Sequence, residues 1–291
     1  MKARRKLESE AGIAIVGPGR LGQALGRLLN CAGFSVQFVV SRRLAAAQRA
    51  TRFIGSGRPV TLDLAELNEA RVFLLTVSDG AIAPVAEHLA AGLGRWRGKV
   101  VLHTCGSLPS SVLAPLGEKG AAIGSLHPYQ TIPSPAAGTR NLRNCFWAVE
   151  GDPPARRVAE RWVRALGGTA FTVRPKDKIL YHASAFLVCP TLVALMDFSQ
   201  SLLRQCGVGE KISRPMLARF VAETVESYRK LGARGALTGP VARGDWESVR
   251  QHLKALKRHA PEVVPAYKAL LRPMLKLAGR KPPRDLARML D

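Results

Sequence analysis

The stretch from Ala11 to Gly22 constrains this chain more than any other. Ile13 to Val16 is a short apolar run rich in β-branched residues, as in a strand covered on both faces. Gly17, Gly19 and Gly22 follow at the G-x-G-x-x-G spacing. Gln23 to Ala32 then has helical period, and Leu21, Leu25, Leu28 and Leu29 share one face. Gly17 allows the tight turn out of the strand. Gly19, without a Cβ, lets backbone approach a pyrophosphate, and Gly22 lets the helix pack closely. Phosphates would sit on free N–H groups at the positive end of the helix. Gly17, Pro18, Gly19, Arg20, Leu21 and Gly22 are therefore the expected cofactor loop.

The second strand, Phe34 to Val40, says which dinucleotide. About twenty residues past the glycines an NAD site carries Asp or Glu for the ribose 2′-hydroxyl. This chain has Ser41-Arg42-Arg43 there. A carboxylate would repel a 2′-phosphate, whereas a hydroxyl and guanidinium groups can hydrogen-bond it. Ser41 and Arg42 thus favour NADP(H) over NAD(H). Arg42 and Arg43 also read as solvated loop charges in an arginine-rich chain, so the missing acid is the firmer signal.

At 291 residues the chain is long enough for two domains, and 47% hydrophobic residues make it globular. Lys and Arg number 44 against 21 acids, an excess spread over both halves of the sequence. Such a field steers an anionic cofactor and substrate. Zinc-finger spacing and an aromatic RNA-binding motif are missing, so nucleic acid is not an expected partner, and no metal site is expected. The first six residues hold four cations with no apolar segment behind them, unlike a signal peptide. The longest apolar stretch, Ala183 to Met196, is interrupted by Pro190 and reads as too short for a membrane span. Five cysteines without a C-x-x-C pair read as buried thiols in a reducing cytoplasm.

Strand and helix patterns then alternate, which predicts an α/β Rossmann domain with a doubly wound, mostly parallel sheet. A helix is expected over Leu44–Phe53, a short strand over 60–62 and a turn over 64–68. Further strands are expected over 71–77, 99–104 and 121–125, with helices over 81–91 and 109–116. Strands at 146–149 and 169–173 flank a helix over 154–166. The fourth strand ends at Val77 and Ser78, on the cofactor edge. From Asp177 the pattern is helix only: a long apolar segment over 178–206 broken near Pro190, an amphipathic helix over 214–231, a glycine-rich loop over 232–245, and helices over 246–259, 262–278 and 285–290. The expected organisation is a basic tail (1–11), a Rossmann domain (12–175) and an all-α substrate and dimerisation domain (176–291).

Candidate chemistry clusters at strand ends. Ser107 and His127 each follow a sheet strand, where ligands bind. Imidazole is a natural proton donor or acceptor near neutral pH, and a hydroxyl can orient a carbonyl. His127 read alone is equally a loop histidine beside Pro128, and Ser107 a helix cap before Pro109. Lys178, Tyr181 and His182 open the first long helix, Lys178 and His182 on one face. Further on, Thr238, Gly239 and Arg243 stand in a glycine-rich stretch where Arg243 could clamp a carboxylate; Asp245 should cap the helix at Trp246, itself a core residue.

Three separated motifs carry a resemblance: Gly124-Ser125-Leu126-His127-Pro128-Tyr129-Gln130-Thr131, Lys178-Ile179-Leu180-Tyr181-His182-Ala183, and Ala236 through Asp245. Together they resemble the Rossmann-like proteins whose C-terminal half is domain of unknown function 2520, over nearly the whole chain from Gly12. That group is similar to the 6-phosphogluconate dehydrogenase-like, or β-hydroxyacid dehydrogenase, superfamily, which joins an NADP-binding domain to a helical, often dimerising one. Ser107 and His127-Pro128 match the places where prephenate dehydrogenases carry Ser and His-Pro at the reacting ring. Thr238-Gly239-Pro240 looks like the loop with which pyrroline-5-carboxylate reductases hold a carboxylate. One departure is Cys189-Pro190, where the resemblance implies a Ser-Asn pair facing the nicotinamide.

These readings combine into an expected NADP(H)-dependent oxidoreductase for a small anionic keto acid, hydroxy acid or cyclic imine. His127 would be the acid/base, Ser107, Lys178 and His182 its companions, and Thr238, Gly239 and Arg243 the substrate holders. A homodimer through the helical domain and a cytoplasmic location are expected, without a membrane partner. A non-catalytic NADP(H)-binding regulator or scaffold is the other reading.

Overall fold

The computed structural model describes residues 12–62 and 64–290; the expected basic tail over 1–11 lies outside the described residues. The chain divides into two compact units, the first ending at Cys189 and the second starting at Pro190.

The first unit is built on eight strands: β1 (Ile13–Val16), β2 (Val36–Val40), β3 (Arg58–Val60), β4 (Val72–Leu75), β5 (Val100–His103), β6 (Ala122–Pro128), β7 (Phe146–Gly151) and β8 (Thr169–Thr172). Their order is β3-β2-β1-β4-β5-β6-β7-β8. Every neighbouring pair is parallel except β6 with β7. Chain direction across the sheet reverses between β1 and β4, which opens a crevice beyond the strand ends there. Successive β1 residues serve two cores. Ile13 and Ile15 pack in one apolar cluster, Ala14 and Val16 in another, as the two-residue period of a doubly covered strand requires.

The covering helices are α1 (Arg20–Cys31), α2 (Leu44–Ile54), α3 (Leu64–Leu67), α4 (Ile82–Gly92), α5 (Ala114–Gly117), α6 (Pro135–Asn141), α7 (Pro153–Ala165) and α8 (Lys178–Val188). Leu25, Leu28 and Leu29 of α1 are buried as its period predicts. Helix α6 has no counterpart in the sequence reading, because seven residues show too little periodicity. Its signal is the Ser134-Pro135 start, and Ser134 does cap it by accepting the Ala137 N–H at 3.1 Å.

The second unit contains α9 (Pro190–Gln205), α10 (Glu210–Ala236), α11 (Pro240–Arg243), α12 (Trp246–His259), α13 (Val264–Ala278) and α14 (Arg284–Leu290). Val241, Val249, Leu253, Leu271 and Leu286 form a core, with Trp246 packed against it as expected. The loop expected from Gly232 is mostly helix. Gly232 takes a left-handed φ of 68° inside α10, which kinks there and continues to Ala236.

Four expectations need correction. The boundary between units falls after Cys189 and not near residue 175, because the first turns of α8 bond to side chains of β6. Pro190 barely interrupts the long helix. It sits at the first position of α9, where a missing N–H costs nothing, so only Cys189 separates α8 from α9. The run Pro175–Gln205 is therefore helical over 31 residues, with mean hydropathy 1.8 in an 18-residue window that is 0% buried. By length and composition it is long and apolar enough to cross a bilayer, contrary to the expectation. Finally, only Cys105 and Cys145 are buried. Cys31 and Cys206, at helix ends, are exposed, and all five cysteines are free.

Candidate functional site

The glycine loop leaves β1 as expected. Gly17 has φ +79°, and a Cβ there would fall 2.3 Å from Cγ1 of Val77, so the turn admits glycine alone. Gly22 approaches Thr76, just past β4, so closely that a Cβ would lie 2.3 Å from Oγ1. Thr76 ties the loop down by donating that hydroxyl to Gly17 O at 2.7 Å. A Cβ on Gly19 would meet nothing nearer than 3.9 Å, so no protein atom fills the space beside it. Helix α1 starts at Gly19 with no side-chain cap and no acid in its first turn, which leaves its positive end open to an anion.

This loop borders a cleft of about 910 Å³ at the β1/β4 crevice. Gly17, Pro18, Gly19, Ser41, Arg42, Val77 and Ser78 all line it. Arg20, Leu21 and Gly22 do not: Gly22 is buried against Thr76, Leu21 packs on the core and Arg20 is exposed. Arg43 is likewise outside the lining, standing at the start of α2.

The second cluster lies at the same end of the sheet, beyond β5 and β6. His127 is not in a loop. Strand β6 runs to Pro128, and His127 pairs with Ala148 of β7. Its Nδ1 is 2.8 Å from the Tyr181 hydroxyl of α8. The His182 ring stands edge-on, 6.0 Å between centroids. A Cβ on Gly106 would fall 2.7 Å from His127 Nε2 and 2.8 Å from Cδ2 of His182, so this glycine is what keeps the space beside both rings clear. Ser107 caps no helix. Its hydroxyl is 3.1 Å from Cys105 Sγ, close to the same turn.

Lys178, expected to meet substrate, is only 1% exposed. Its ammonium donates to Ser125 Oγ at 2.6 Å and lies 3.9 Å from Glu150 Oε1. Glu150 in turn accepts from the Ser110 N–H and, at 2.8 Å, from the Ser110 hydroxyl. The Lys178 ammonium thus sits in a buried chain that ties β6 and β7 to the loop after β5. Burial lowers the Lys178 pKa, partly offset by Glu150.

Two histidines stay neutral over this charge. His127 is pushed down to about 3, first by burial, then by the Lys178 and His182 charges. His103 also falls to about 3, by burial and then by Lys178. His103 Nδ1 accepts the Cys105 N–H at 3.2 Å, so the proton is on Nε2, which donates to Pro109 O at 3.3 Å. Burial is also the first cause that raises the Tyr181 pKa, so its hydroxyl keeps its proton.

His103, Ser110, Ser125 and Glu150 belong to the buried network beside this cluster and have no signal in the sequence alone. Glu150 and Lys178 are far apart in sequence, and a single acid at a strand end carries no local signal. Ser125, two residues before His127, reads only as strand.

In the second unit, Gly239 has φ +87° and starts α11, and Thr238 and Arg243 are exposed. Asp245 caps α12 as expected, accepting the Ser248 N–H at 3.1 Å and its hydroxyl at 2.7 Å.

Residues 5–128 match the model of the Rossmann-like domain, and residues 145–273 that of domain of unknown function DUF2520. No curated protein matches the chain. Among solved structures it is similar to the provisionally named NADP oxidoreductase BF3122 of Bacteroides fragilis, at 22% identity over 92% of this chain and 99% of that one, with a TM-score of 0.74. It is similar to a reductive aminase of Aspergillus terreus in complex with NADPH, at 18% identity over 93% and 92%, TM-score 0.62. A pyrroline-5-carboxylate reductase of Coxiella burnetii matches at 18% over 94% and 99%, TM-score 0.58. These likenesses establish a shared fold. The chain is a Rossmann-like domain followed by a DUF2520 domain.

Proposed function

We propose that this protein is an NADP(H)-dependent oxidoreductase acting on a small anionic keto acid, hydroxy acid or cyclic imine. One observation carries the reading: the glycine-loop cleft and the His127–Tyr181–His182 cluster stand at the same end of one sheet, at β1/β4 and β5/β6. The cofactor named for the Aspergillus terreus complex agrees with it.

The residues fit that cofactor. Gly19 leaves room for backbone to approach a pyrophosphate, the open end of α1 suits its charge, and Ser41 and Arg42 in the cleft lining suit a 2′-phosphate. When bound, NADP(H) supplies or accepts the hydride. His127 supplies the proton site at Nε2, with Nδ1 held by Tyr181. With the proton on Nδ1 and donated to the Tyr181 oxygen, the neutral ring accepts at Nε2. An anionic substrate beside it would oppose the Lys178 charge and raise its proton affinity, so that proton uptake follows substrate binding. Ser107 and His182 orient the substrate, and Lys178 positions the loop through Ser125 and Glu150. The resemblance assigns carboxylate binding to Thr238, Gly239 and Arg243. NADPH oxidation against a panel of keto acids and imines tests this, with His127→Gln expected to lower turnover about a hundredfold or more; unchanged turnover in that variant would contradict the role of His127.

A second copy of the chain would cover the exposed apolar face of α9 and α10, where Val193 and Phe220 are 65% and 71% exposed. Cys189-Pro190 favours the second reading, a non-catalytic NADP(H)-binding regulator. Proline offers no side-chain hydrogen bond where the resemblance implies Asn. Tight NADPH binding without turnover of any panel member would favour it.

A further inference from the structure

At the end of the sheet away from the glycine loop, β4 and β5 begin with Arg71 and Lys99 just before them. There the first unit has a cleft of about 500 Å³ whose charged lining is Arg71, Arg95, Arg97 and Lys99 against one acid, Glu69. Glu69 is already engaged, accepting from Gln37 at 3.0 Å. Among the described residues no carboxylate forms an ion pair with any of the four cations.

Lys99 makes this more than a surface patch. It is 4% exposed, and its ammonium donates to Asn68 O and Ala70 O, both at 2.6 Å. Burial, and then the charge of Arg71, lower its pKa. A buried cation with carbonyl partners but no counter-charge is costly to keep. The three arginines around it are exposed, and guanidinium forks match phosphate oxygens in pairs. An adjoining cleft of about 440 Å³, lined also by Phe34 and Trp162, shares Arg71 and adds Arg157, Arg161 and Arg164 against one acid, Glu160, which extends the positive field. No aromatic ring lines the first cleft, so it has no platform for stacked bases, and its volume is that of a small-molecule site.

We propose that this cleft binds a small oligophosphate anion, the di- or triphosphate end of a nucleotide-sized ligand, at a site separate from the cofactor crevice. Calorimetric titration of the full chain with inorganic tripolyphosphate at physiological salt tests it. With the cofactor crevice filled by excess NADPH, saturable binding is expected, weakened at least about tenfold by Arg95→Glu with Arg97→Glu. If the double variant does not fold, Arg97→Ala alone carries the test, with a loss of about threefold or more. Three results would each overturn the proposal. One is no saturable binding. Another is binding abolished by NADPH or Arg42→Glu, which would place the anion in the glycine loop. The third is tighter, steeply salt-dependent binding of a single-stranded RNA oligonucleotide, which would make the clefts part of an extended polyanion surface.

Discussion

His103 should make the sheet unit lose stability in mild acid. The ring is 0% exposed, and Nδ1 and Nε2 are both engaged in the neutral form, so the folded state takes up a proton only near pH 3. The unfolded chain takes it up near its ordinary value of 6.5. Between those limits the unfolded state binds the extra proton, and stability falls by about 1.4 kcal/mol for each pH unit lost. From pH 7 to pH 5 the integrated loss from this one group is about 2 kcal/mol, because titration of the unfolded form begins only near 6.5. His103→Asn removes the titration while Oδ1 can still accept the Cys105 N–H. The variant will be less stable at pH 7 through the lost ring, by about 1–3 kcal/mol. The diagnostic quantity is the pH dependence. Urea unfolding at pH 7 and pH 5, followed by tryptophan fluorescence, reports mainly on this unit, where Trp96, Trp147 and Trp162 are buried. The variant should lose about 2 kcal/mol less than the parent over that range. Equal losses in the two proteins would show that His103 titrates normally in the fold, and the buried network described around it would be wrong.

Gly22→Val would push Cβ to within 2.3 Å of Thr76 Oγ1, and should cost about 1–3 kcal/mol by thermal or urea melting. Lys178→Met leaves Glu150 buried without its cation and should destabilise by about 3–5 kcal/mol. It should also raise the His127 pKa, since Lys178 is one of the causes that lower it, and an NMR titration of the ring that showed no rise would contradict the coupling. Val193→Asp with Phe220→Asp should convert a dimer to a monomer in analytical ultracentrifugation at micromolar concentration; an unmodified chain that is already monomeric would refute the proposed pairing.

Much of the frame was legible in the sequence because it is written in short-range pattern. The β1–glycine–α1 unit fixes its own geometry through three glycines and a leucine face, and α12 runs from Trp246 to His259 as its period and Asp245 cap imply. What escaped depends on distance in sequence. The Lys178–Ser125–Glu150–Ser110 chain joins four segments that meet only once β6 and β7 pair antiparallel. The neutrality of His127 follows from burial over Lys178, which no local spacing encodes. Pro190 misled for a local reason: proline breaks a helix interior but opens a new helix at its first position at little cost.

The central claim is an NADP(H) site built from the glycine loop, Ser41 and Arg42. Fluorescence titration of the purified chain with NADPH and NADH, repeated on Arg42→Glu, tests it most directly. NADPH should bind about tenfold or more tightly than NADH, and Arg42→Glu should abolish that preference while leaving NADH binding nearly unchanged. Equal affinity for the two nucleotides, or binding of neither, would contradict the claim.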